Sequence, residues 1–154
     1  MRLQLTRVHK GRGGWADDAA AEYSKRLKRY GPFVECTVRP QAFSGDVAAV
    51  RRQESERVLR GVRPGDRLIC LDERGESLDS QAWARLIDRA RHDGIGTLVF
   101  ALGGPYGHDT TLRARASRTL SLAPMVLNHQ VARVVALEQL YRAWTLIRGE
   151  PYHH

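Results

Sequence analysis

Apolar and polar positions change their period along this chain almost without a break. Residues 2–8 alternate with a period of two, which predicts a half-buried strand. Residues 9–14 form a basic glycine loop. Residues 15–30 then put Ala19, Tyr23, Leu27 and Tyr30 on one face of a helix that Gly31-Pro32 stops. Residues 33–38 alternate as a second strand. Residues 44–60 space Val47, Val50, Glu54 and Val58 along a second helix with an arginine-rich surface. A turn at 61–65 leads into a short buried strand at 66–71 and a polar loop at 72–76. Asp79 or Ser80 caps a third helix that reaches His92 and ends at Asp93-Gly94. Residues 97–102 are continuously apolar, as in strands covered on both faces of a parallel sheet. Residues 112–117 predict a short helix, and 120–127 an extended segment around Pro124. Asn128 caps a final long helix, terminated by Gly149 and Pro151.

Strands and helices in alternation predict an α/β fold, a largely parallel sheet with helices on both faces. A chain of 154 residues builds one such domain with a real core and is too short for two, so residues 1–154 are read as a single domain. Ligands of such sheets bind beyond the carboxyl ends of the strands, where strand order reverses. The loops after Leu71, Leu102 and Leu127 are therefore where chemistry is expected. Every apolar run is far shorter than the roughly 20 residues needed to cross a bilayer, and no long apolar signal region follows Met1. The expectation is a cytoplasmic protein without a membrane partner. Cys36 and Cys70 fall in separate strands, outside any metal-ligand spacing; reduced thiols and no metal site are expected.

Lys and Arg number 25 against 17 Asp and Glu, a formal net charge of +8 with arginine predominating. Such an excess favours a polyanionic partner through counterion release, although an arginine-rich solvated surface accounts for the same balance. Gly103-Gly104-Pro105-Tyr106-Gly107 follows the buried strand and reads as a tight turn or as a place where a ligand meets bare backbone. It is not a dinucleotide fingerprint, and the loop at 11–14 lacks the Lys-Ser/Thr ending of a P-loop, which argues against a nucleotide-dependent oxidoreductase. Residues 122–127 have almost no side-chain polarity. They suit a core strand broken by Pro124; the functional alternative is a flat heteroaromatic ring such as adenine, sandwiched by these apolar groups and read by backbone groups. His129 opens the last helix as a base or as a structural hydrogen-bonding residue. Arg133 and Arg142 lie on the same helix, where Arg142 can also pair with Glu138 one turn earlier. Neither a Ser-His-Asp order nor a carboxylate pair stands out.

Taken together, Leu71-Asp72, Leu102-Gly103-Gly104-Pro105-x-Gly107, Ser121-Leu122, His129-x-x-x-Arg133, Glu138 to Trp144 and the terminal Pro151-Tyr152-His153 resemble the SPOUT-class methyltransferases of 23S ribosomal RNA that act on pseudouridine N3. The resemblance covers the whole chain. It implies a C-terminal trefoil knot, S-adenosylmethionine as co-substrate, a homodimer, and 23S rRNA within the assembled ribosome as substrate. The family target is pseudouridine-1915. Carried over by position, it implies cofactor contacts at Leu71, Gly103, Leu122, Ala123, Pro124, Met125, Val126 and Leu127. For that reaction His129, Tyr152 and His153 are the candidates for positioning or proton transfer. Arg133 and Arg142 are the candidates for holding phosphate or a developing enolate charge. With no separate RNA-binding domain, a dimer is expected to build a composite site, the second subunit supplying its tail or basic loop.

The chain departs from the family at Ala123 and Val126, where Ser and Thr are usual, at Asn128, where Pro is usual, and at His154, where a basic residue stands. Backbone contacts survive such changes; a hydroxyl contact does not. A non-catalytic ribosome-binding factor of the same fold is the alternative those departures favour. For His108-Asp109 the sequence offers no role.

Overall fold

The computed structural model describes residues 1–11 and 13–152. Its elements are β1 (Arg2–Val8), α1 (Asp17–Leu27), β2 (Phe33–Val38), α2 (Val47–Arg60), β3 (Arg67–Ser77), α3 (Ser80–His92), β4 (Thr97–Leu102), α4 (Thr110–Arg115), β5 (Arg118–Ser121) and α5 (His129–Arg148). The strands form one five-stranded sheet in the order β2-β1-β4-β3-β5, and all of its pairs are parallel. This is the α/β architecture that the alternation of periods predicts.

The continuous apolar run of β4 is explained by its central place in the sheet. A period of two sends Leu98, Phe100 and Leu102 to one face and Val99 and Ala101 to the other. The first face meets α1, α3 and α5 through Leu27, Trp83, Ile87, Leu137, Leu140 and Trp144, with Trp83 stacked on Phe100 at 5.5 Å. The second meets α2 and α4 through Val58 and Leu112, with Leu68 and Cys70 from β3. The thiols of Cys36 and Cys70 are free, and burial pushes Cys70 up to about 12.

Capping groups move several boundaries from where periodicity puts them. The first helix covers Asp17–Leu27 rather than 15–30: Ala16 has no capping side chain, and the chain leaves the helix in turns before Gly31. Asp46 starts α2 at Val47 rather than 44 by accepting from the N–H groups of Ala48 and Ala49. Asp109 starts α4 at Thr110, two residues early, by accepting from the Leu112 N–H. Strand β5 spans Arg118–Ser121, so the extended segment expected at 120–127 turns after Ser121, whose hydroxyl donates to the Ala123 carbonyl.

The largest difference lies in β3, which continues through the polar residues expected as a loop and ends at Ser77. Its register against β5 breaks on the way, since Leu71 and Glu76 both face Leu120. At Gly75 the two chains approach so closely that a Cβ would stand 2.5 Å from the Leu120 carbonyl carbon and 2.7 Å from its nitrogen.

Candidate active site

After β3 the chain steps back to β4, then crosses to β5 on the far side of β3. Strand order reverses there, and a cavity of about 480 Å³ opens at the carboxyl ends of these strands. Three segments line it: Leu71 to Arg74 after the core of β3, Leu102 to Gly107 after β4, and the stretch from Leu122 to Ala132 that leads into α5, with Arg51 at the edge. Of the expected cofactor contacts, Leu71, Gly103, Leu122, Ala123, Met125, Val126 and Leu127 come together here. Pro124 is exposed at the bend, outside the lining.

The Gly-Gly-Pro turn works by close approach. Gly107 has φ +75° and its N–H donates to the Gly104 carbonyl at 2.9 Å. A Cβ on Gly104 would lie 2.7 Å from the buried Oε2 of Glu54. The His108-Asp109 pair is structural. Buried His108 sets Nε2 3.1 Å from the Ala101 carbonyl, and burial lowers its pKa, while Asp109 caps α4 and donates its N–H to Ser55.

Asp72 was legible only as part of a motif, and its role comes from Arg74. The Arg74 guanidinium donates through Nε at 2.8 Å and Nη2 at 2.7 Å to the two oxygens of the buried Asp72 carboxylate. These bonds hold its pKa down at about 2. A folded-state pKa below the unfolded value stabilises the protein above roughly pH 4, and the gain is lost as pH falls toward 2. Asp72→Asn is therefore expected to flatten the fall in unfolding free energy between about pH 4 and 2, by about 2 kcal/mol. Urea titrations across that range check it; a slope equal to wild type would show that the pair contributes nothing.

His129 opens α5 at the cavity edge, behind an Asn128 side chain that accepts from the Gln130 N–H. Its ring lies 5.3 Å from that of His9. Burial and the neighbouring His9 and Arg7 lower its pKa, so the neutral imidazole prevails. His9 was not singled out in the sequence; its Nδ1 sits 2.6 Å from the Gly11 carbonyl oxygen.

Arg133 stands elsewhere. Its buried guanidinium donates to both oxygens of Glu35 at 2.6 and 3.0 Å and to Asp17 at 2.6 Å, with Arg7 also paired to Glu35. Asp17 in turn accepts from the Gly13 N–H, so this network ties the basic loop to α5. Arg142 and Tyr152 meet farther along α5. The Arg142 guanidinium pairs with Glu138 at 2.7 Å and lies over the Tyr152 ring at 4.8 Å. Tyr152 packs edge-on against Tyr141, and burial raises its pKa to about 12. His153 and His154 lie outside the described residues. The structure thus gathers seven of the eight expected cofactor contacts with His129, and leaves Tyr152 and Arg142 at Glu138, more than two helical turns along α5.

The family described as predicted SPOUT methyltransferase matches residues 1–153. Proteins named ribosomal RNA large subunit methyltransferase H are similar over the full length. The one from Pelobacter propionicus is 44% identical, with all of both chains covered. That from Geobacter sp. strain M21 is 42% identical over all of this chain and 99% of its own. Among solved structures, a probable methyltransferase from Bordetella pertussis aligns with a TM-score of 0.54 at 16% identity, covering 92% of this chain and 94% of its own. A probable methylase family protein from Haemophilus influenzae aligns at 0.56 and 14% identity, over 99% of this chain and 70% of its own; these two likenesses speak for the fold. By matched length and identity, the chain belongs to the SPOUT methyltransferase family, in the group of ribosomal RNA large subunit methyltransferase H.

Proposed function

We propose that this protein methylates N3 of a pseudouridine in 23S rRNA of the assembled ribosome, in the cytoplasm, with S-adenosylmethionine as methyl donor. One observation carries the reading: five of the six residues 122–127 share a cavity with Leu71, Gly103 and His129. The residues fit the donor. Apolar side chains of 122–127 cover the faces of an adenine ring, and backbone N–H and C=O groups of the same segment read its edge. The usual hydroxyls at 123 and 126 are not needed for that. Gly103 and Gly104 line the cavity in a turn packed too closely against Gly107 and Glu54 for a Cβ. When bound, S-adenosylmethionine supplies an electrophilic methyl on a sulfonium sulfur and departs as the thioether.

The remaining work falls to the protein. N3 of pseudouridine is an imide nitrogen whose lone pair is delocalised, and it becomes a good nucleophile only on losing its proton. A neutral His129 beside the cavity is placed to accept that proton or to orient the base. The site is completed by a second copy of the chain. Met125 is 62% and Val126 81% exposed at the cavity, apolar surface that a partner protomer covers. The trefoil knot belongs to the same proposal, supported by the close passage of β5 against Gly75.

Calorimetric titration tests the donor, with NADH as control. Saturable binding of S-adenosylmethionine alone, followed by methyl incorporation into ribosomes, is the expected result. Absence of binding by folded protein would favour the non-catalytic ribosome-binding factor. His129→Ala is expected to slow single-turnover methylation on saturated complexes by roughly a hundredfold or more. An unchanged rate would remove His129 from the chemical step.

A further inference from the structure

Two aromatic rings stand at the cavity mouth without a share in the core. Phe43 is 58% exposed, and its ring centre lies 5.8 Å from that of Tyr106, tilted by 31°. Neither ring is left to chance, because α2 holds the backbone under both. Arg57 donates to the Arg39 carbonyl at 2.7 Å and to the Gln41 side chain, while buried Glu54 accepts from the Gln41 N–H at 2.9 Å. These bonds fix the chain two residues before Phe43. On the other side, Arg51 Nε donates to the Tyr106 carbonyl at 2.6 Å. Three side chains of one helix thus support an apolar pair that faces water, and uncovered apolar surface of this kind marks a contact site.

The surroundings say what covers it. Arg51 lines the cavity beside Tyr106, Arg52 next to it is exposed, and the chain as a whole carries +8. A flat apolar face joined to negative charge is the chemistry of a nucleotide, and its face is open only when the base is unpaired. We propose that Phe43 and Tyr106 form a stacking platform for an unpaired nucleobase of the RNA strand that enters the cavity, with Arg51 against its phosphates. This rests on the rRNA reading above and deepens it. The platform gives each protomer an RNA contact of its own at the mouth of the site.

Phe43→Ala in the full-length protein tests the platform, with steady-state methylation of ribosomes, calorimetry of S-adenosylmethionine and light scattering as readouts. The KM for ribosomes is expected to rise roughly tenfold, with kcat, donor affinity and oligomeric state unchanged. Tyr106→Leu is expected to raise KM as well, and Phe43→Tyr and Tyr106→Phe to restore it, since they keep the stacking faces. An unchanged KM in Phe43→Ala overturns the platform while the methyltransferase reading stands. Altered oligomeric state in Phe43→Ala also overturns it and makes this face a contact between copies of the chain. Wild-type protein that binds the donor yet methylates no ribosome overturns the rRNA reading, and the platform with it.

Discussion

Gly75→Ala is expected to destabilise the protein by about 3 kcal/mol and to weaken S-adenosylmethionine binding at least tenfold. Most glycine substitutions at a crowded site are absorbed by a side chain that swings away. At Gly75 the atoms in the way are backbone: the new Cβ would stand 2.5 to 2.7 Å from the carbonyl carbon and nitrogen of Leu120 and the carbonyl carbon of Thr119. Relief therefore requires β5 to move away from the end of β3, which breaks the pairing of Glu76 with Leu120 and of Ser77 with Ser121. Residues 122–127 follow β5 directly and all but Pro124 line the cavity, so the displacement is delivered to the proposed donor site. Gly96→Ala serves as the control, because a Cβ there meets nothing within 4 Å. Urea midpoints and donor calorimetry on both variants check the claim. A Gly75→Ala protein as stable as Gly96→Ala would show that the two strands separate without cost.

The same contact shows where sequence reading loses the fold. Strands whose period is set by burial, such as β1 and β4, are legible because their neighbours need not be known. The end of β3 is not, since Asp72 to Ser77 carry no apolar pattern and become strand only by pairing with β5, more than forty residues on. Helix starts shifted for a local reason: an aspartate cap at 46 or 109 overrides the apolar stripe by a few residues.

At the site, the apolar character of residues 122–127 was legible from composition, and five of the six line the cavity. Arg133 was different. Its partners Glu35 and Asp17 lie 98 and 116 residues away, so a helix surface arginine in the sequence is a buried ion-pair centre in the fold. With its guanidinium so engaged, Arg133 ties the basic loop to α5 through Asp17. The exposed pair Phe43 and Tyr106 escaped for the same reason: the two rings meet only after α2 folds beneath them.

Mixed dimers are expected to recover about half of wild-type activity from two variants that are each inactive. His129 opens α5, while the Tyr152 hydroxyl bonds Glu138 at 3.3 Å, nine residues or about 13 Å along the helix. At that separation one protomer does not hold both against one reacting atom. If the tail acts in methylation, it acts across the dimer, on the cavity of the partner. Ala123→Trp fills the cavity of one protomer and leaves its tail intact. Deletion of residues 152–154 removes the tail of the other and leaves its cavity intact. Each homodimer is expected to lose about a hundredfold or more in rate, as misplacement of reacting groups does. In the heterodimer, isolated through two different affinity tags, one site joins the intact cavity to the intact tail and the other joins two damaged halves. Recovery of activity in that species, with the homodimers silent, assigns the composite site. A silent heterodimer would place tail and cavity in the same protomer, and Tyr152 would then have to leave Glu138 and Tyr141 to reach it.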